Sequence, residues 1–203
     1  GSLLWVRESR ALCLLLLGLA IGLSAARTRA ADQVKANNTD PLNTAGSWSG
    51  GAIPGSLNWA TWDSTVPGSN SAVMGGDLTV GGLRILNPGG PVTIPGAGGF
   101  ILTLNSVGGL GIDMTNATAD LTVGSVVALG TNQTWAVQSL RLLTVSGTIS
   151  NATAAAGIAK TGAGTLVLSG NNLYTGPTTN TAGTLRATTY ATALGAGSLT
   201  LAG

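Results

Sequence analysis

The sequence predicts an all-β solenoid, a fold in which short strands stack coil upon coil. An apolar triplet recurs along the 203 residues at steps of 24, 19, 22, 23 and 33 residues. A period of about 20 to 50 residues marks units that bury their apolar faces by stacking on neighbours. The chain has 32 glycines and 7 prolines, and their frequent recurrence disfavours long helices. The triplets are Leu78-Thr79-Val80, Leu102-Thr103-Leu104, Leu121-Thr122-Val123, Leu143-Thr144-Val145, Leu166-Val167-Leu168 and Leu199-Thr200-Leu201.

Within each triplet an apolar residue stands on either side of a residue that is usually threonine. Successive side chains of a strand point to opposite faces, so the Leu and Val side chains are predicted to lie inside the coils. Successive triplets are predicted to stack one above another as a continuous inner column, which burial of each side chain stabilises by roughly 1.5–3 kcal/mol. The middle residues predicted on an outer face are Thr79, Thr103, Thr122, Thr144 and Thr200.

Residues 1–30 have the pattern of a secretory signal. Arg7 and Arg10 precede an apolar run, and small residues follow it. This pattern predicts export through the secretion machinery, with cleavage after Ala30 or, as an alternative, after Ala26. A retained membrane anchor is the weaker interpretation, because the run is too short to span a bilayer comfortably.

Removal of this signal changes the charge of the chain. The signal holds four arginines and one glutamate, so five basic and six acidic residues remain, a net charge near −1. The basic isoelectric point therefore belongs to the signal and does not support nucleic-acid binding. The single Cys13 lies inside the apolar run, so the mature chain is predicted to fold without disulfides.

Residues 31–70 differ in composition from the rest and contain Trp48, Trp59 and Trp62. We predict that they cap the solenoid, because the first coil would otherwise expose an apolar face and unpaired strand edges. The segment 59–62 is predicted to form a short strand with both indoles on one face. The alternative is that the three tryptophans form an exposed platform that stacks on sugar rings.

Residues 71–203 are predicted to form the solenoid itself. Short apolar segments alternate with glycine-rich turns at a density that favours a coil with several short sides. A sandwich or barrel is the weaker alternative, because the Asn-Gly and Asp-Gly turns typical of hairpins are absent from the sequence.

The segment 162–170 is echoed by 195–203, with six of nine positions identical at an offset of 33 residues. We interpret this offset as one coil that carries a longer loop. Turn-forming residues predict that the loop lies at Asn171, Asn172, Gly176 and Pro177.

A longer motif covers residues 160–187. It reads Lys160-Thr161-Gly162-Ala163-Gly164-Thr165-Leu166, then Leu168-Ser169-Gly170-Asn171-Asn172-Leu173-Tyr174-Thr175-Gly176, then Ala182-Gly183-Thr184-Leu185. This motif resembles the autotransporter-associated β-strand repeat, with a partial second copy at 195–203. Pro177 and Asn180-Thr181 depart from the usual pattern of that family, just before Ala182. The resemblance implies a right-handed parallel β-helix, export through the inner membrane, and residence at or beyond the outer membrane of a Gram-negative-type cell. Beyond these residues, the longer protein is expected to hold an outer-membrane barrel or a sorting signal.

The residue types that carry most enzyme chemistry are scarce. The chain has no histidine, and the mature chain would have no cysteine, which removes the commonest base, metal ligand and thiol nucleophile. Asp113 and Asp120 form the one acid pair considered for Ca²⁺, although solvated turn carboxylates are favoured because Ca²⁺ takes six or more oxygen ligands. Arg84, Arg141 and Arg186 stand apart from acids in the sequence, so a polysaccharide-cleaving β-helix is disfavoured.

We therefore expect a non-enzymatic exported β-solenoid, a passenger-type surface or secreted protein that serves adhesion, display or spacing, with no cofactor or metal. The first alternative is a carbohydrate-binding or polysaccharide-degrading β-helix, in which Trp48, Trp59 and Trp62 stack on surface glycans. The second is a structural envelope component without a ligand. The chain is also expected to be a piece of a longer protein, because it opens without Met and stops inside a repeat.

Overall fold

The computed structural model describes residues 32–153 and 155–202, so the predicted signal at 1–30 lies outside the described residues. The chain forms an all-β solenoid of about seven turns, and the predicted stack of parallel strands is confirmed. Strands β1 to β18 follow in the order Gln33–Val34, Trp59–Trp62, Asn70–Ser71, Leu78–Val80, Gly82–Ile85, Val92–Ile94, Ile101–Leu104, Leu110–Met114, Leu121–Val123, Val126–Leu129, Gln133–Val137, Leu142–Val145, Ile149–Asn151, Ile158–Thr161, Thr165–Leu168, Thr178–Asn180, Thr184–Ala187 and Leu199–Leu201.

The strands form three sheets that run along the axis of the solenoid. Sheet 1 has the order β1-β2-β5-β8-β11-β14-β16-β18, sheet 2 the order β17-β15-β12-β9-β6-β3, and sheet 3 the order β13-β10-β7-β4. Neighbouring strands pair in parallel, as β2 with β5 and β12 with β15 do. A complete coil visits sheets 1, 2 and 3 in turn, so each strand lies about 4.8 Å from its counterpart in the next coil.

The alternation predicted inside the triplets is confirmed for β4, β9 and β12. In the triplets of these three strands the Leu and Val side chains point inward and are at most 7% exposed, whereas the intervening threonines point outward. Strand β18 is exposed along its whole length at the end of the described chain. Larger side chains, Trp62, Trp135 and Tyr174, fill the remaining interior.

The triplets occupy three columns rather than the single column that we predicted. A coil with three apolar sides presents a similar triplet on each side, so recurrence in the sequence does not imply stacking in space. The observed pairs are Leu121 with Leu143 and Leu143 with Leu166 in sheet 2, and Leu78 with Leu102 in sheet 3, whereas Leu199 lies in sheet 1.

The offset of 33 residues is not one coil with a long loop, as we had interpreted it. The two copies of the nonapeptide lead into different sheets, β15 in sheet 2 and β18 in sheet 1. Around the first copy, Thr165 pairs with Thr184, which gives an ordinary coil of 19 residues. Residues 169–177 form the third side of that coil, where the Leu173 amide donates to the Ile149 carbonyl at 2.7 Å.

Aromatic side chains join the N-terminal segment to the first coil. Trp48 Nε1 donates to the Leu42 carbonyl at 2.9 Å, and Trp62 Nε1 donates to Asn70 Oδ1 at 3.0 Å. The two rings meet edge to face with their centroids 5.9 Å apart. These contacts are those that a cap would need, and the assignment of residues 31–70 as a cap stays a prediction.

Candidate functional site

The three tryptophans considered as a glycan platform do not share a face. Trp59 and Trp62 are three positions apart in β2, and this spacing places their side chains on opposite faces of the strand. Trp62 and Trp48 belong to the core, whereas Trp59 points outward beneath Arg84. The prediction of both indoles on one face was therefore wrong. All three rings are at most 2% exposed, which is the opposite of what an open stacking platform requires.

Arg84 connects three neighbouring strands on the outer face of sheet 1. Its Nη1 donates to Asp32 Oδ2 at 2.6 Å, and its Nε donates to Asp113 Oδ2 at 3.1 Å. The guanidinium carbon lies 4.2 Å from the centroid of the Trp59 ring, a cation–π distance. Arg84 therefore does not stand apart from acids, contrary to the impression from the sequence.

Sequence reasoning missed this cluster because it compared near neighbours along the chain. The acids that bind Arg84 lie 52 and 29 positions away from it. Parallel stacking brings residues one coil apart into register, and Arg84 pairs with Asp113 in this way. An acid one coil away from an arginine is the signal that could have identified the pair.

Asp113 and Asp120 do not form a shared cation site. Oδ1 of Asp113, in β8, accepts hydrogen bonds from the Thr115 amide and hydroxyl at 3.1 and 2.7 Å. Oδ1 of Asp120, just before β9, accepts from the Leu142 amide at 3.0 Å and lies 3.7 Å from Arg141 Nη1. Among the described residues, no group of three or more His, Cys, Asp or Glu side chains is placed to hold a metal ion. Each acid instead links its own pair of coils.

Lys160, the first residue of the motif at 160–187, points into the solenoid and is fully buried. Its Nζ donates to the carbonyls of Thr161, Gly162 and Ala182 at 3.2, 2.6 and 2.7 Å. Ala182 belongs to the next coil, so the ammonium connects two coils through their backbones. Burial lowers the pKa of Lys160 below its ordinary value, because desolvation disfavours the charged form.

The glycines of this motif allow the backbones of adjacent coils to approach closely. A Cβ at Gly164 would lie 2.1 Å from the Gln138 carbonyl oxygen, and one at Gly183 would lie 2.5 Å from the Gly162 carbonyl oxygen. Gly162 also has a φ of +76°, a conformation that favours glycine. Contact between coils therefore accounts for the lysine and the glycines of the motif.

The same stretch of sequence is a known repeat. Residues 158–187 match the family model described as Passenger-associated-transport-repeat. Residues 158–187 are similar to this repeat, and we name them the passenger repeat. This match confirms the resemblance drawn from the motif at 160–187. No curated protein and no solved structure matches the chain significantly.

The passenger repeat extends from β14 to β17 and is held by further buried polar side chains. Asn172 Oδ1 accepts from the Ile149 amide at 2.8 Å, and its Nδ2 donates to the Ala193 carbonyl at 2.6 Å. The hydroxyls of Tyr174 and Thr178 lie 2.5 Å apart. Burial raises the pKa of Tyr174 above its ordinary value. The side-chain amide of Asn172 thus forms hydrogen bonds with the coil before it and with the coil after it.

The outer face of sheet 1 along the passenger repeat presents threonine and alanine. Outward positions of β11, β14, β16 and β18 stand in register over successive coils and carry no charge. A shallow groove of about 280 Å³ lies beside them, lined in part by Asn132 and Pro177. The outward residues are Thr134, Ala136, Ala159, Thr161, Thr179 and Thr200.

Over the part of the chain that the structure describes, no helix is long and apolar enough to cross a bilayer.

Proposed function

We propose that this chain is part of an autotransporter passenger domain, a non-enzymatic exported solenoid that serves adhesion, display or spacing at the cell surface. The observation that carries the proposal is the passenger repeat at 158–187, which forms consecutive coils of one parallel stack. Each coil repeats the same backbone ladder and aliphatic column, so a rod can be lengthened without a new kind of core. A protein that projects from a surface benefits from this property.

The engagement of the charged groups supports a structural rather than a catalytic role. Asp113, Asp120 and Lys160 each bind the backbone or a neighbouring coil. The outer face of sheet 1 along the passenger repeat offers hydroxyl and methyl groups and no acid–base pair. The chain accordingly acts through the shape and length of its stack, without a cofactor.

The proposal requires two partners for export. The signal predicted at 1–30 would engage the secretion machinery of the inner membrane. An outer-membrane barrel, encoded elsewhere in the same protein, would take the solenoid to the cell surface. The location proposed is therefore the exterior of the outer membrane of a Gram-negative-type bacterium.

Accessibility of residues 169–177 on intact cells tests the proposal. A protease site is inserted after Leu173, whose side chain is 61% exposed, in the complete protein produced by its own host. We expect an added protease to cut this site on intact cells, because a passenger lies outside the outer membrane.

The matched control carries the same insertion but lacks residues 1–30, and we expect it to be cut only after lysis. If the protein with its signal is also protected until lysis, it is not displayed at the surface. That result would contradict the proposed passenger role.

A further inference from the structure

Two buried polar atoms on the outer face of sheet 1 have no hydrogen-bond partner among the residues that the structure describes. They are Trp59 Nε1 and Thr61 Oγ1, and the two residues are 1% and 2% exposed. Buried donors and hydroxyls in folded proteins nearly always have a partner, so an exception requires an explanation. Both residues point outward from β2, so packing of the core does not account for these atoms.

The atoms lie within a compact cluster of polar and charged side chains. Thr61 pairs in register with Arg84, and Arg84 pairs with Asp113 in the next coil. Arg84 also covers the Trp59 ring at 4.2 Å and reaches Asp32 at 2.6 Å. We name these five residues (Asp32, Trp59, Thr61, Arg84 and Asp113) the Trp59 site.

A glycine provides the space that the indole occupies. Gly82 pairs with Trp59 in register, and a Cβ at Gly82 would lie 2.5 Å from Cζ3 of the ring. The ring therefore lies over the backbone of the next strand, and the Arg84 guanidinium covers it. This arrangement depends on a glycine at a strand position, where glycine is otherwise disfavoured.

The charges of the Trp59 site indicate the class of ligand. Two carboxylates face one guanidinium, and the net negative charge disfavours an anionic ligand. Carboxylate oxygens accept hydrogen bonds from hydroxyls, and an indole offers an apolar face with a donor at its edge. Thr61 adds a hydroxyl that can donate or accept. Together these groups fit a neutral sugar ring, which has an apolar face and a rim of hydroxyls.

We propose that the Trp59 site binds a neutral hexose unit of a surface glycan and that Arg84 is its lid. The Arg84 side chain is long and 17% exposed, so it can leave the indole without movement of the backbone. The sugar ring then stacks where the guanidinium lay, and its hydroxyls bond to Trp59 Nε1 and Thr61 Oγ1. The two carboxylates accept hydrogen bonds from further sugar hydroxyls.

This site differs from the platform of three tryptophans considered from the sequence. Trp48 and Trp62 lie in the core, so the Trp59 site uses one ring and the polar groups around it. The site also stands independently of the passenger role, because a solenoid can bind a sugar wherever it is located.

Retention on immobilised glycans tests the Trp59 site. The full chain is passed over a neutral β-glucan and a neutral mannan, with polygalacturonate as the acidic comparison, and we expect retention on a neutral glycan alone. Thr61→Val removes one polar atom and should weaken binding about fivefold, the effect of one lost hydrogen bond. Trp59→Phe removes the indole N–H together with part of the stacking ring, and should weaken binding more than Thr61→Val does. Arg84→Ala removes the lid and should strengthen binding.

Arg141→Ala is the matched control, because Arg141 also lies beside an outer aspartate, 3.7 Å from Asp120, but takes no part in the Trp59 site. It should bind as the parent chain does. Circular dichroism checks that each variant folds. If the other variants do not fold, the nearly isosteric Thr61→Val tests the Trp59 site by itself. Failure to retain any neutral glycan, unchanged binding by Thr61→Val, or a preference for polygalacturonate would each overturn the proposal and leave a buried water as the occupant.

Discussion

At the scale of single residues, buried polar groups complete the register that the aliphatic columns specify only in part. A pairing shifted by one residue would turn the apolar side chains outward, but a shift of two residues keeps the same face inward and would bury similar apolar area, because Leu and Val are nearly interchangeable along a column. Lys160 and Asn172 are different, because each needs particular backbone partners in an adjacent coil. A slip of two residues would keep these groups buried but unpaired, at a cost of about 1–3 kcal/mol each.

The buried ammonium of Lys160 makes stability depend on pH. Its pKa is lowered in the folded chain from the ordinary 10.5. Between the lowered value and 10.5 the unfolded chain binds more protons than the folded chain, so the free energy of unfolding rises with pH across that window and is smaller below it. We expect urea denaturation at several values up to about pH 9.5 to show this rise, and to show a smaller rise for Lys160→Met.

Arg186→Met is the control for this experiment, because Arg186 lies in the same passenger repeat but is exposed. The free energy of unfolding of Arg186→Met should rise with pH as steeply as that of the parent chain. The pH series stops below 10.0 because the raised pKa of Tyr174 acts in the opposite sense, so that stability falls as pH rises through that raised value. If the free energy of unfolding rises equally steeply with pH in the parent chain and in Lys160→Met, Lys160 does not cause the pH dependence.

At the scale of elements, the turns decide how closely the coils stack. The turn before β15 passes so near the preceding coil that a Cβ at Gly164 would lie 2.1 Å from a carbonyl oxygen and 2.7 Å from Val137 Cγ1. Backbone atoms cannot move aside as the end of a flexible side chain can. The glycines of the motif are therefore part of the stacking surface as well as turn residues.

Gly164→Ala should lower the free energy of unfolding by about 1–3 kcal/mol, because the added methyl group forces two coils apart. Gly68→Ala is the control, since a Cβ there meets nothing within 4 Å and needs no positive φ. It should leave stability unchanged or raise it by up to about 1 kcal/mol, through the smaller entropy of the unfolded chain. Urea denaturation of the two variants measures the difference, and equal losses would contradict the role given to Gly164.

At the scale of the whole molecule, the solenoid behaves as a one-dimensional stack in which each coil contacts its neighbours. Leu142 pairs with Thr165, so residues 142–164 make one complete coil. Removing them should leave a folded solenoid that is shorter by about 4.8 Å and less stable, because one interface between coils is lost. Circular dichroism and small-angle scattering measure the fold and the length.

The control deletion removes one residue more, 142–165. Leu166 then takes the place of Leu142, and the side chains of β15 exchange their inner and outer faces. We expect this chain to unfold at a clearly lower urea concentration than the chain with the deletion of a complete coil. Similar stabilities would mean that the inner columns do not govern the stacking.

Several features could be predicted from local pattern because their causes are local. Alternation along β4, β9 and β12 determines which side chains point inward, and the glycines mark the turns between them. The motif that begins at Lys160 identified the passenger repeat before any contact was known. The opposite faces of Trp59 and Trp62 were also predictable from their spacing, and the error lay in the interpretation rather than in missing information.

The sequence by itself thus determined the strands, the turns, the inward and outward faces and the repeat. Only the tertiary structure decided which triplets stack, that residues 169–177 complete an ordinary coil, and that Asp32 and Asp113 meet at Arg84. The reason is that the step from one strand of sheet 1 to the next, from β2 to β18, varies between 20 and 28 residues. Each turn sets its own length, and contacts between coils depend on the sum of those lengths rather than on any local period.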